Sequence, residues 1–127
     1  KLIHGLINAA TLVGIAEALV VGRKSGIDPQ MMFDIISVSR GNSGIFQSRA
    51  PRMLDGNFSA AFAIDLKYKD MTLALNLAQD LKIPVVVAEA ARAVFQMARA
   101  KGLGGSDIAA VVTVLEEWAG VTVRRRK

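Results

Sequence analysis

A chain of 127 residues, of which 52% are hydrophobic, is long enough for one domain with its own core. With no cysteine and a single histidine, it excludes disulfides, thiolate metal sites, a cysteine nucleophile and a multi-histidine metal site. Most of the net charge of +5 lies in the basic run 124–127. We expect that run to be a solvated tail and not a nucleic-acid arm, because no aromatic side chains are interleaved with it.

The first predicted element is a long apolar helix. Its stretch 6–21 is apolar enough to suggest a membrane span, but Asn8, Thr11 and Glu17 interrupt it. A core helix buried on nearly all sides is therefore the better interpretation. Gly26 suits the left-handed residue that closes such a helix.

Two shorter helices follow in the pattern. Asp28 suits the N-cap of the second helix and Pro29 its first turn, and the helix runs to about residue 38. The third helix covers about 44–54, and we expect Pro51 to disturb its end.

The last three helices complete an all-α domain. The fourth covers about 64–81, the fifth starts at Pro84, and the sixth follows an N-cap at Ser106 and ends near Gly120. Four leucines mark the helical spacing of the fourth: Leu66, Leu73, Leu77 and Leu81. No alternating strand pattern persists, so the sequence predicts one all-α domain of about six helices with a long buried first helix.

Polar residues cluster at the start of the first helix. Lys1, His4 and Asn8 recur every three or four residues and so share one face, and Gly5 permits close approach to its backbone. A solvated helix start for Lys1, and core polar groups for His4 and Asn8, are the ordinary alternatives.

Further candidates lie in a loop and around the fourth helix. They are Gly41, Asn42 and Ser43 of the loop, Lys69 and Asp70 of the helix, and Phe62, which precedes the helix. The loop offers amide, hydroxyl and backbone donors, and the helix places a lysine and an acid in an apolar setting. A simple turn and exposed helix residues are the ordinary interpretations, so the residues alone predict only a helical domain with a polar cluster.

The order and spacing of several segments are more specific. These are KLIHG, AEAL with Glu17, KSGID, GNSGIFQSRAPRMLDGNF, FAIDLKYKDMTLAL, and the closing run LKIPVVVAEAARAVFQMARAKGLGGSDIAAV. Together they resemble, over essentially the whole chain, the C-terminal domain of the β-hydroxyacid dehydrogenases. The resemblance implies an all-α fold like the C-terminal domain of 6-phosphogluconate dehydrogenase.

The resemblance also implies roles for the candidate residues. Lys1 matches the family's catalytic lysine, which takes part in proton transfer at the substrate oxygen, and Lys69 matches a lysine near the cofactor. The substrate-binding positions would be His4, Gly5, Asn8, Gly41, Asn42, Ser43, Phe62 and Asp70. Many members have two asparagines where this chain has His4 and Gly5. Histidine at the first position is similar to the threonate-dehydrogenase type and favours a polyhydroxylated acid.

Family members bind NAD or NADP mainly in an N-terminal Rossmann domain, and this sequence contains no G-x-G-x-x-G. We therefore expect residues 1–127 to be the substrate-binding and dimerisation domain of a cytoplasmic NAD(P)-dependent hydroxyacid dehydrogenase, cut just before its catalytic lysine. It should be inactive alone, with a small hydroxy acid as substrate and no metal, nucleic-acid or membrane partner. The alternative is a non-catalytic helical scaffold, as in relatives that have lost the lysine.

An oligomer is expected from the first helix. Its apolar residues would leave too much hydrophobic surface bare in a monomer. They are Leu2, Leu6, Ala9, Ala10, Val13 and Ala16. The sequence therefore predicts a homodimer or a higher oligomer with the first helix at the contact.

Overall fold

A computed structural model describes residues 1–126 and shows six α-helices, which confirms the predicted all-α class. They are α1 (Leu2–Lys24), α2 (Pro29–Ser37), α3 (Gly44–Asp55), α4 (Ile64–Asp80), α5 (Val86–Ala100) and α6 (Val112–Ala119), with a 3₁₀ turn at Ile108–Val111. The only extended pairing within the described residues is an isolated bridge between Ala63 and Asp107.

α1 is the central helix and packs against all five of the others. By length and composition alone it could cross a membrane, but 44% of its most apolar 18-residue window is buried inside the fold. Leu12, Ala16 and Leu19 are completely buried, as befits a core helix. Burial on nearly all sides was too strong a prediction, because Ile7 is 66% exposed and Val21 69% exposed.

Local signals set several helix ends as predicted, although α5 starts at Val86 and not at Pro84. The Asp28 carboxylate accepts a hydrogen bond from the backbone N–H of Met31 at 3.0 Å, which caps α2. The expectation for Pro51 was wrong: α3 continues past it to Asp55 and ends at Gly56, which has φ +66°. A proline inside a helix removes one backbone hydrogen bond, and the packing of α3 outweighs that loss here.

The N-cap expected at Ser106 lies one residue later. Asp107 accepts a hydrogen bond from the N–H of Ala109 at 2.9 Å and starts the 3₁₀ turn that precedes α6. Asp107 is fully buried, so the cap also places a carboxylate inside the protein.

α4 has the predicted helical period, but the four leucines that marked this period do not face the core. Leu66 is 52% exposed and Leu73 48% exposed, while the inward face carries Ile64, Lys67 and Met71. The orientation of α4 therefore brings a lysine into the interior.

The basic tail is not solvated as expected. Arg124 donates to the backbone oxygen of Met53 at 2.6 Å and pairs with Glu116 at 3.1 Å. Arg125 pairs with Asp55 at 2.6 Å. These contacts hold the chain end against α3 and α6; Lys127 lies outside the described residues.

Candidate active site

A polar cavity of about 450 Å³ lies beside the N-terminal end of α1. Its first wall is formed by Lys1, His4, Gly5 and Asn8. The facing wall includes Ser48 and Arg49 of α3, and Phe62, Lys67 and Asp70 from α4 and the residues before it. The face that the sequence predicted on α1 thus opens onto a cavity that two other helices complete.

The mouth of the cavity holds an ion pair between two predicted residues. Lys1 Nζ lies 3.4 Å from Oδ2 of Asp70, and their side chains are 77% and 20% exposed. Further along the same wall, Asn8 Nδ2 lies 3.3 Å from Nε2 of His4. An exposed amine beside a more buried carboxylate is an arrangement suited to holding and moving a proton.

Four predicted residues do not line this cavity. The Ser43 hydroxyl caps α3 by accepting from the N–H of Phe46 at 3.1 Å, and Asn42 accepts from Gln47 at 2.7 Å. Gly41 borders a separate apolar hollow, and Lys69 is an exposed residue of α4. Their roles towards substrate or cofactor stay predictions.

Lys67 is the main cavity residue that the sequence reasoning missed. Only 7% of it is exposed, and its Nζ lies 5.1 Å from the centre of the Phe62 ring. Burial lowers the pKa of Lys67; Asp70 opposes that change, while the nearby charges of Arg49 and Lys1 reinforce it. Its spacing could have indicated this, because Lys67 lies three residues after Ile64 and four before Met71, which are both core positions.

Arg49 and the acid behind it were also missed. Arg49 Nε lies 3.1 Å from Oδ2 of Asp107, and Arg52 approaches the other carboxylate oxygen at 3.6 Å. Asp107 Oδ1 also accepts from the N–H of Phe62 at 3.0 Å and from that of Ala61 at 3.1 Å. Asp107 therefore fixes two cavity residues, Arg49 and Phe62, from inside the fold.

The cavity carries an excess of positive charge. Lys1, Arg49 and Lys67 face it, whereas Asp70 is its only lining carboxylate among the described residues. Such a surface favours binding of a small anion, because an opposite charge stabilises buried or half-buried cations most strongly. The site can bind an anionic molecule and exchange a proton with it beside Lys1 and Asp70.

Comparison with known proteins places this geometry in context. The family described as "NAD-binding of NADP-dependent 3-hydroxyisobutyrate dehydrogenase" matches residues 1–115. A crystal structure of 3-hydroxyisobutyrate dehydrogenase from Salmonella typhimurium superimposes with a TM-score of 0.87 at 31% identity, covering 90% of this chain and 40% of that one.

Two curated relatives are similar over nearly the whole chain. 2-(Hydroxymethyl)glutarate dehydrogenase of Eubacterium barkeri is 36% identical over 97% of this chain and 41% of its own length. L-threonate dehydrogenase of Cupriavidus necator is 35% identical over 90% of this chain and 38% of its own length. The chain thus spans about 40% of these relatives.

Proposed function

The chain belongs to the 3-hydroxyisobutyrate dehydrogenase family, and on that premise we propose that it is the helical substrate domain of an NAD(P)-dependent oxidoreductase. The reaction interconverts a small hydroxy acid and its semialdehyde or keto acid. The observation that carries the proposal is the Lys1–Asp70 pair, 3.4 Å apart at the mouth of a cationic cavity. The names of the two curated relatives, a threonate and a (hydroxymethyl)glutarate dehydrogenase, support hydroxy acids as the substrate class.

We place the nicotinamide end of the cofactor at the mouth of the cavity. Its exposed mouth at Lys1 leaves room for a flat ring beside the amine, whereas the described residues contain no strand followed by a glycine-rich turn that could hold the phosphates. We assign the phosphates and adenosine to a Rossmann domain elsewhere in the protein, with Lys69 near the cofactor. The chemistry that the cofactor supplies when bound is acceptance of a hydride from the carbon bearing the hydroxyl group.

The residues of this chain handle the substrate and its proton. The amine of Lys1 accepts the proton of the substrate hydroxyl group during oxidation and returns it during reduction. Asp70 holds that amine in place, and Arg49, itself held by Asp107, attracts the substrate carboxylate. The Phe62 ring lines the cavity and offers the substrate an apolar surface.

A substrate screen tests the proposed function. We expect the full-length protein to reduce NAD or NADP with at least one small hydroxy acid, and the isolated chain 1–127 to show no turnover. Absorbance of the reduced nicotinamide measures both. Turnover by the isolated chain would contradict the assignment of the cofactor to another domain. A full-length protein that is inactive in both directions with every acid tested would contradict the function itself.

We also assign a homodimer or a higher oligomer to the full-length protein. The residues of α1 that form its contact differ in part from those predicted. Ala9, Val13 and Ala16 are buried inside this chain and are not free for a partner. An open apolar surface lies at the C-terminal end of α1, where Val21 borders a hollow of about 660 Å³ shared with Ile35 of α2. Covering this hollow would remove a sizeable apolar surface from water.

Light scattering at micromolar concentration tests this assembly. We expect an oligomer for the wild type and a shift towards monomer for Val21→Glu, because a carboxylate in an apolar contact loses its hydration. Val87→Glu, at a valine of α5 that is 68% exposed, is the matched control and should leave the mass unchanged. A monomeric wild type would refute the assignment.

A further inference from the structure

We propose that the cavity takes a hydroxy acid with two carboxylates, and that Lys67 binds the second one. This inference rests on the proposed function and narrows it to a substrate class. Its basis is the number, depth and pairing of the cationic groups that face the cavity.

The charges are the first step of the argument. Asp70 is the only lining carboxylate among the described residues and it pairs with Lys1 at 3.4 Å, so the cations that face the cavity without a carboxylate of its lining are Arg49 and Lys67. Behind the wall, the buried Asp107 contacts Arg49 at 3.1 Å and Arg52 at 3.6 Å, so one carboxylate faces two guanidinium groups and one positive charge remains over. A substrate with one carboxylate would leave one of these charges without a partner, whereas a dianion matches both.

Depth separates the roles of the two lysines. Lys1 is 77% exposed on its side chain and reaches over the mouth towards Asp70, where the reacting carbon and the nicotinamide must meet. Lys67 is 7% exposed and lies against the Phe62 ring, further inside. A substrate whose hydroxyl group contacts Lys1 can therefore extend a second acidic arm inward to Lys67.

The surroundings of Lys67 show that its charge is short of partners. Among the described residues its amine makes no hydrogen bond or ion pair, and its one close contact is the Phe62 ring, 5.1 Å away. Its burial lowers the pKa of Lys67, and the attraction of Asp70 does not restore it. A bound carboxylate would supply the missing opposite charge at the point where desolvation makes it most effective.

Direct binding is the first test, and it does not depend on turnover. Calorimetry on the full-length protein with its cofactor compares pentanedioate with pentanoate, which have the same carbon chain but two carboxylates or one. We expect the dianion to bind roughly 10–100-fold more tightly, the range for one charge-assisted hydrogen bond. Lys67→Met should abolish that preference and Lys67→Arg should retain most of it.

Kinetics is the second test. 2-(Hydroxymethyl)pentanedioate is compared with 3-hydroxy-2-methylpropanoate, which lacks the second acidic arm. Lys67→Met should raise KM for the dicarboxylate roughly 10–100-fold, leave KM for the monocarboxylate within about threefold, and leave kcat for both within about threefold. Lys82→Met, at an exposed lysine beyond the far end of α4, is the control and should change neither constant.

The outcomes separate this inference from the function on which it rests. A preference for pentanedioate that depends on Lys67, in a protein without turnover, would contradict only the proposed function. Turnover with equal affinity for the two acids would overturn only the inference. An equal fall of kcat for both substrates in Lys67→Met would make Lys67 part of the proton transfer and also overturn it. An equal loss of affinity for both acids, with a lowered Tm, would reduce Lys67 to a structural role and overturn it too.

Discussion

Lys1→Ala in the full-length protein is expected to lower kcat for a hydroxy acid about 10²–10⁴-fold, the usual effect of losing a positioned acid or base. The amine lies 3.4 Å from Asp70 at the cavity mouth, and no other described residue places an exposed amine there. Because Lys1 acts on the substrate proton, the dissociation constant of the cofactor should change far less than kcat. Steady-state kinetics and cofactor titration measure the two effects separately.

Three further variants sharpen this test. Lys1→Arg should not restore the rate, because a guanidinium stays protonated near neutral pH and cannot accept the proton. Asp70→Ala should give a smaller loss, since it disturbs the position of the amine and of the substrate without removing the base. Lys82→Ala is the control at an exposed lysine. A kcat for Lys1→Ala within about twofold of the wild type, the scale of surface substitutions, would contradict the assignment and favour a helical scaffold.

Asp107→Ala is expected to lower the free energy of unfolding by about 3–5 kcal/mol, the effect of breaking a buried ion pair by removing one partner. The Asp107 carboxylate is fully buried and contacts Arg49 and Arg52. It also accepts hydrogen bonds from the N–H groups of Ala61, Phe62 and Ala109. Its removal therefore leaves a buried charge and several amides without their acceptor.

Denaturant unfolding of the full-length protein measures this loss, and hydrogen exchange at the amides of Phe62 and Ala109 locates it. Asp107→Asn keeps one acceptor oxygen and should fall between the wild type and the alanine variant. Asp80→Ala, at an exposed acid near the end of α4, should stay within about 0.5 kcal/mol of the wild type. A loss below about 1 kcal/mol for Asp107→Ala would show that the carboxylate does not hold the cavity wall.

The features predicted well from the sequence are those set by neighbours along the chain. Asp28 and Pro29 determine the start of α2 through one side-chain hydrogen bond and one fixed φ angle. The shared face of Lys1, His4 and Asn8 follows from the helical period alone, and all three line the same cavity. Such features can be predicted without knowing which elements pack against the helix.

The features that were missed depend on tertiary packing. The helical period alone allows α4 to bury either the face with Leu66, Leu73 and Leu77 or the face with Lys67, and contact with α1 and α5 selects the second. Asp107 and Arg49 are 58 positions apart in the sequence, and nothing local indicates that they meet. The sequence predicted Arg124 to belong to a solvated tail, because nothing nearby in the chain indicates that the fold brings Glu116 beside it.

A crystal structure of the full-length protein with NAD or NADP and a hydroxy acid or its unreactive analogue tests the central claim most directly. We predict that the substrate hydroxyl oxygen lies within about 3.2 Å of Lys1 Nζ, the reach of a hydrogen bond, with its carboxylate inside the cavity and the nicotinamide at the mouth. A substrate bound elsewhere, or one whose hydroxyl oxygen lies beyond hydrogen-bond reach of Lys1, would contradict the assignment of this cavity as the active site.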